Sequence, residues 1–202
     1  MTVLLFGFGP FLAYDENPTE VAVRRIDGAR IGGEDVAGVV LPVDYAKVEG
    51  EIVSAIDRVR PRLAIGFGLA QGRVRVTPEK VAVNCRYSQE PDNSGTKAAG
   101  APIDAGGPDG IFSNLRVEAL ADSLNSIGVP AAVSFSAGAY LCNNAMYVIV
   151  REARRRGFLG GFVHVPCHSE WVSSKNRPDP SLPIDTIEKA ARHAVEFSLR
   201  GA

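Results

Sequence analysis

VLLFGFGPFLAYDENPTE, residues Val3 to Glu20, passes from a strand pattern to a helix start within one short stretch. Val3–Phe8 is a nearly continuous apolar run, as expected of a strand covered on both faces. A small-residue turn, GFGPF (Gly7–Phe11), follows it. Then Asn17-Pro18-Thr19-Glu20 supplies an N-cap, a proline at the first helical position and an acid at N3.

The same alternation continues outward. Further strand-like runs are Val36–Val43, Leu63–Phe67, Val81–Asn84, Ala131–Phe135 and Phe162–Val165. Between them lie apolar stripes at helical spacing. Val48, Ile52, Ile56 and Val59 form one, stopped by Pro61. Val117, Leu120, Leu124 and Ile127 form a second, closed by Gly128. Cys142, Met146, Val150 and Ala153 form a third, closed by Gly157. Ile184, Ile187, Ala191 and Ala194 mark a terminal helix. Alternating β and α predicts a mostly parallel sheet sandwiched between helices. A length of 202 residues suits one domain over 1–202. Ser88–Gly110 is rich in Gly, Pro, Asp and Asn, and a loop of about 88–110 inside a compact domain points to function. Ser169–Pro183 is a second, shorter loop.

Composition narrows the function. Lys and Arg number 22 and Asp and Glu 23, for a net charge of −1. That balance offers no electrostatic basis for nucleic acid or an acidic membrane. The basic run REARRR (Arg151–Arg156) reads as a solvated helix end whose cations suit the macrodipole. No run has transmembrane length, and MTVLLFGFGP reads as a first strand rather than a signal peptide. Three widely spaced cysteines with no CxxC suggest neither a disulfide framework nor a structural metal, and a reducing cytoplasm is the expected location. No cofactor is expected. GFGPF has Leu12 where a dinucleotide fingerprint needs glycine, GFGLAQGR (Gly66–Arg73) leads into extended sequence, and neither carries GK[ST].

The chemistry centres on SFSAGAYLCNNAMY, Ser134–Tyr147. Cys142 opens a helix after a strand-like run and a small-residue turn. Composition alone favours a core cysteine, but a helix start supplies backbone N–H groups and a dipole that stabilise a thiolate. Such a nucleophile needs a base, and the histidines are His164, His168 and His193. His193 sits in the terminal helical stretch. His164 ends a strand-like run, on the edge of a parallel sheet that would also present Cys142; His168 is its rival. An orienting acid completes the set. Glu79, in VTPEKVAVN, is flanked by apolar strand-like residues where an unpaired charge is costly; a turn acid after Thr77-Pro78 is the alternative.

In their order and spacing, GFGPF with Asn17-Pro18, LPVDY, GRVRVTPEKVAVN, PDNSG, SAGAYLCNNAMY and GFVHVP resemble the pyroglutamyl-peptidase type I family, also called pyrrolidone-carboxylate peptidases. The match runs from Val3 to about Pro166. The resemblance implies a three-layer αβα sandwich around a mostly parallel mixed sheet and a Cys142/His164/Glu79 triad. It also implies removal of N-terminal pyroglutamate from peptides without a cofactor, by a homo-oligomer that is often tetrameric. Phe8 and Phe11 match positions that hold the lactam ring; Asn17 and the backbone at Tyr140 and Leu141 match substrate contacts. Departures are also present. Gln89 stands where the family has an arginine ahead of PDN, Leu69 and Gln71 alter GQAGGR, and Leu12-Ala13 replace a glycine pair. Cys167-His168-Ser169 and Trp171 differ after His164. They leave open an amidase acting on another cyclic or small N-acyl amide, or a non-catalytic binding homologue.

Overall fold

The computed structural model describes residues 2–201. In chain order the elements are β1 (Thr2–Phe8), α1 (Pro18–Ile26), β2 (Arg30–Ile31), β3 (Glu34–Leu41), α2 (Val48–Val59), β4 (Leu63–Leu69), β5 (Thr77–Pro78), β6 (Val81–Val83), β7 (Arg86–Tyr87), β8 (Ala99–Ala101), β9 (Gly110–Phe112), α3 (Val117–Ser126), α4 (Leu141–Arg156), β10 (Leu159–Val165), β11 (Cys167–His168), α5 (Ser169–Ser174), β12 (Ser181–Leu182) and α6 (Ile184–Leu199).

The central sheet has the order β2-β3-β1-β4-β10-β5. β3, β1, β4 and β10 run parallel, and β2 and β5 close the edges antiparallel. Side chains of β1 alternate between the two faces, as strand geometry requires. Val3 and Leu5 join the core under α1, α3 and α6. Leu4, Phe6 and Phe8 join the core under α2 and α4. The result is the three-layer αβα sandwich with a mostly parallel mixed sheet. Each fully buried Leu, Ile or Phe contributes about 1.5–3 kcal/mol.

Local signals in the sequence reappear as caps. Asn17 caps α1, its side chain accepting from Thr19 N–H, with Pro18 opening the helix. Arg60 ends α2 and Gly157 ends α4, both in the left-handed region. In the REARRR run, Arg151 pairs with Glu49 and Glu152, and Arg156 with Asp57 and Glu152. The run is therefore partly an ion-pair network rather than a wholly solvated end.

Two expected strands differ. Val81–Asn84 is not in the main sheet; β6 pairs with β9 in a two-stranded ribbon. Ala131–Phe135 forms only isolated bridges, Val76 with Ala131 and Glu79 with Ser134. The bonds of a parallel ladder are present from Val76 N to Pro130 O, Ala132 N to Val76 O, Ser134 N to Pro78 O and Lys80 N to Ser134 O. The missing rung is the one Pro78 would donate, because proline has no N–H.

The 88–110 segment is anchored rather than loose. Asp92 is buried and accepts from the N–H groups of Tyr45, Ser94 and Thr96. The Asn84 side chain holds Ile103, Asp104 and Gly107. No helix among the described residues is long and apolar enough to cross a membrane.

Candidate active site

A cavity of about 330 Å³ opens at the carboxyl ends of β1, β4 and β10, against the start of α4. Phe8, Phe11, Asn17, Val43, Leu69, Arg73, Ala137, Tyr140, Leu141, Cys142 and His164 are among its lining residues. The edge is the expected one for an α/β sheet, because helices and loops diverge there.

Cys142 is the second residue of α4. Tyr140 is its N-cap and makes no side-chain cap bond. The first turn's bonding begins with Asn144 N to Tyr140 O, so the N–H groups of Leu141, Cys142 and Asn143 precede it. Asn143 is fully buried and fixes the helix start from the other side, accepting from Val83 N–H and donating to Val83 O and Cys85 O. Gly68 makes room for the thiol. A Cβ at Gly68 would stand 2.7 Å from Cys142 Sγ and 2.9 Å from the Phe162 ring. Gly68 is also the register partner of His164 in the β4–β10 pairing, so thiol and imidazole flank one glycine.

His164 Nδ1–H donates to Glu79 Oε1 at 2.7 Å, leaving Nε2 as the basic atom of the ring. Glu79 is fully buried, its backbone held by Glu79 N to Phe162 O. Arg73 donates to the same Oε1 at 2.6 Å, to Thr77 Oγ1, and to Ser136 O at 3.1 Å. Burial works to raise the Glu79 carboxyl, but the hydrogen bond from His164, with Ser134 and Arg73, holds it below the usual range. Burial holds His164 below its ordinary value against the opposing pull of Glu79. Burial, then the Glu79 charge, pushes the Cys142 thiol up to about 12, with Arg73 and its own backbone N–H opposing. Burial and the Glu79 carboxylate thus oppose what the helix start offers a thiolate. The directions of all three shifts describe a neutral thiol and a neutral imidazole beside a carboxylate.

The other expected residues divide. Phe8, Phe11, Asn17, Tyr140 and Leu141 line the cavity with Cys142 and His164. Asn17 does so while donating to Gly9 O and accepting from both Thr19 N–H and Oγ1–H. Gln89 does not line it; it is exposed. Gln71 is exposed and donates to Asp179, whereas Leu69 does line it. His168 is buried away from the cavity between Glu16 and Glu170, and His193 bonds Ser123. Arg73 escaped the sequence reading. Its position in GRVRVTPE was visible, but nothing local separates it from Arg75, which is exposed. Among the described residues no three His, Cys, Asp or Glu side chains gather as a metal site.

The model of the family described as pyroglutamyl peptidase matches residues 1–201. A pyrrolidone-carboxylate peptidase of Saccharolobus islandicus is 52% identical over 98% of this chain and 95% of its own. One of Coprothermobacter proteolyticus is 39% identical over 98% and 97%. A solved mutant pyrrolidone carboxyl peptidase from the hyperthermophile Pyrococcus furiosus superposes with a TM-score of 0.96 at 35% identity, covering 100% of this chain and 99% of that one.

Proposed function

Because the chain belongs to the pyroglutamyl peptidase family and is a cysteine-type omega peptidase, we propose that it removes an N-terminal pyroglutamyl residue from peptides through Cys142, His164 and Glu79. The observation that carries this reading is the cavity shared by Cys142 and His164, with His164 Nδ1 bonded to the buried Glu79.

Cys142 Sγ attacks the pyroglutamyl carbonyl carbon while His164 Nε2 takes the thiol proton. A neutral thiol beside a neutral imidazole, the direction in which both shifts run, transfers its proton as it attacks. Glu79 keeps the ring in the tautomer with Nδ1 protonated and stabilises the imidazolium that forms. First-turn N–H groups of α4 receive the developing oxyanion. His164 then returns the proton to the departing amine, leaving a thioester on Cys142. Water, deprotonated by His164, attacks that thioester and releases free pyroglutamate and the thiol.

Selection follows from the lining. Phe8, Phe11, Val43 and Leu69 offer apolar faces to a flat lactam, with Asn17 and backbone groups for its donor and acceptor. A charged α-amino group would be poorly solvated there. Leu69 is the one cavity-lining departure from the family pattern, and it favours a second reading, another cyclic or small N-acyl amide. The family resemblance extends the proposal to a homo-oligomer, often tetrameric, working in the cytoplasm.

Release of a fluorophore from a pyroglutamyl amide tests the proposal, with Cys142→Ala as control and a panel of acyl amides beside it. Hydrolysis that persists in the variant removes Cys142 as nucleophile. A better substrate among the other acyl amides transfers the assignment to the second reading.

A further inference from the structure

Phe11 and Leu69 line the cavity, and behind them stands a group of side chains that does not. Tyr14, Cys167, Trp171 and Val172 pack with Leu69, and Phe11 leans on them. The rings form a ladder. Phe11 and Tyr14 stack with centroids 5.3 Å apart, and Tyr14 and Trp171 lie 5.0 Å apart. The Arg177 guanidinium sits 5.5 Å from the Tyr14 ring and 5.2 Å from the Trp171 ring. Asp179 fixes that guanidinium at 2.6 Å.

The ladder is also tied along its backbone and rim. Phe11 and Tyr14 exchange two backbone hydrogen bonds, so Phe11 cannot shift without Tyr14. Trp171 Nε1–H donates to Asp15 Oδ1 at 2.6 Å, and Lys175 reaches Asp15 Oδ2 at 2.5 Å. Buried His168 stands between Glu16 at 2.8 Å and Glu170 at 3.3 Å. The connection between β1 and α1, which carries Phe11, is thus fastened to residues 168–177 at several points. His168 and Trp171 belong to the stretch where this chain departs from the family pattern.

We propose that Tyr14, Trp171 and Arg177 form a brace that presets Phe11, making Trp171 a positioning residue for the substrate ring although it lies outside the cavity. A loop the length of 9–17 left to itself would let the Phe11 ring swing, and ordering it on binding costs entropy. Fixing the ring beforehand removes that cost and sets the width of the slot. The inference rests on the pyroglutamyl reading only in taking a small lactam as the group that meets Phe11.

Trp171 is the chain's single tryptophan, so its emission reports on the brace alone. In the unaltered protein that emission is expected to resist quenching by acrylamide, equally without 2-pyrrolidone and at concentrations of 2-pyrrolidone that inhibit hydrolysis of a pyroglutamyl amide. Tyr14→Leu and Trp171→Leu are expected to raise KM by about 10-fold, the scale of one impaired apolar contact, with kcat nearly unchanged, the mark of lost uniform binding. Trp171→Phe, which keeps a ring, should recover most of the loss. Ready quenching in the free protein that falls when 2-pyrrolidone binds shows a ladder ordered only by the ligand and overturns the brace even if a variant fails to fold. So does an unchanged KM in both leucine variants. Absence of both hydrolysis and lactam binding overturns the substrate reading, and the brace with it.

Discussion

His164 and Glu79 meet across 85 residues of chain, Nδ1 donating to Oε1 at 2.7 Å, with Glu79 fully buried and His164 almost so. In Glu79→Gln the amide oxygen can still accept that bond, but the charge that stabilises an imidazolium is gone. A fall in kcat of about 10²–10⁴ is expected, by analogy with the neutralised acid of a Ser-His-Asp triad. Glu79 pulls the His164 value up and the Cys142 value up, so both limbs of the kcat/KM profile should move to lower pH. A variant that folds, by circular dichroism, and keeps full activity would remove Glu79 from the chemistry.

The resting state of Cys142 makes a second prediction. With the thiol pushed up to about 12, alkylation of Cys142 by iodoacetamide should be slow near neutrality. It should climb with pH without a plateau below pH 9. A resting thiolate–imidazolium pair would instead label at a constant rate from mildly acidic pH. The same shifts bear on stability. His164, held below its unfolded value of 6.5, contributes fully above that pH, and the contribution is lost as pH falls through the folded value. Cys142, raised above its unfolded value of 9.0, contributes fully below pH 9 and loses the contribution as pH rises toward 12. Thermal melts of Cys142→Ala should therefore fall less steeply above pH 9 than those of the unaltered chain.

Arg73 is expected to matter through Glu79. Arg73→Gln leaves a buried carboxylate with one charged donor fewer, a change worth about 1.5–3 kcal/mol for a hydrogen bond to a charged group. The expected result is a loss in kcat/KM of about 10- to 100-fold. Because Arg73 lowers the His164 value, the acid limb should move to higher pH. Arg73→Lys should restore part of the loss. A uniform loss with an unmoved pH profile would assign Arg73 a role in folding alone.

Gly68→Ala tests the space around the sulfur. The added methyl would come within 2.7 Å of Cys142 Sγ and 2.9 Å of Phe162, well inside contact distance. A destabilisation of about 1–3 kcal/mol is expected from overpacking, together with a lower kcat from a displaced thiol. Chemical denaturation and kinetics measure the two effects separately, and normal values for both would show that the sulfur can settle elsewhere.

The sequence was most legible where the physics is local. The apolar run Val3–Phe8, the cap at Asn17 and the stop at Gly157 follow from backbone geometry and spacing, and all three return as elements of the fold. Cys142 at a helix start was legible for the same reason. Ala131–Phe135 was not, because its strand-like composition says nothing of the partner, and the partner carries Pro78.

What the sequence by itself determined, then, was the alternation of strands and helices, their caps, and a thiol at the head of one helix. Tertiary structure alone decided that His164 and not His168 lines the cavity with Cys142, which arginine reaches Glu79, that Gln89 stays outside the cavity, and that Trp171 packs behind Phe11 through Tyr14. Periodicity and capping are set by a residue's near neighbours along the chain. Side-chain partnership is set by strand order and register, which bring Gly68 beside His164 and place Thr77 and Pro78 on the far side of β10. The ionisation of Cys142 belongs to the second class as well. Helix position favours the thiolate, but the burial and the nearby carboxylate that outweigh it exist only once the chain has folded.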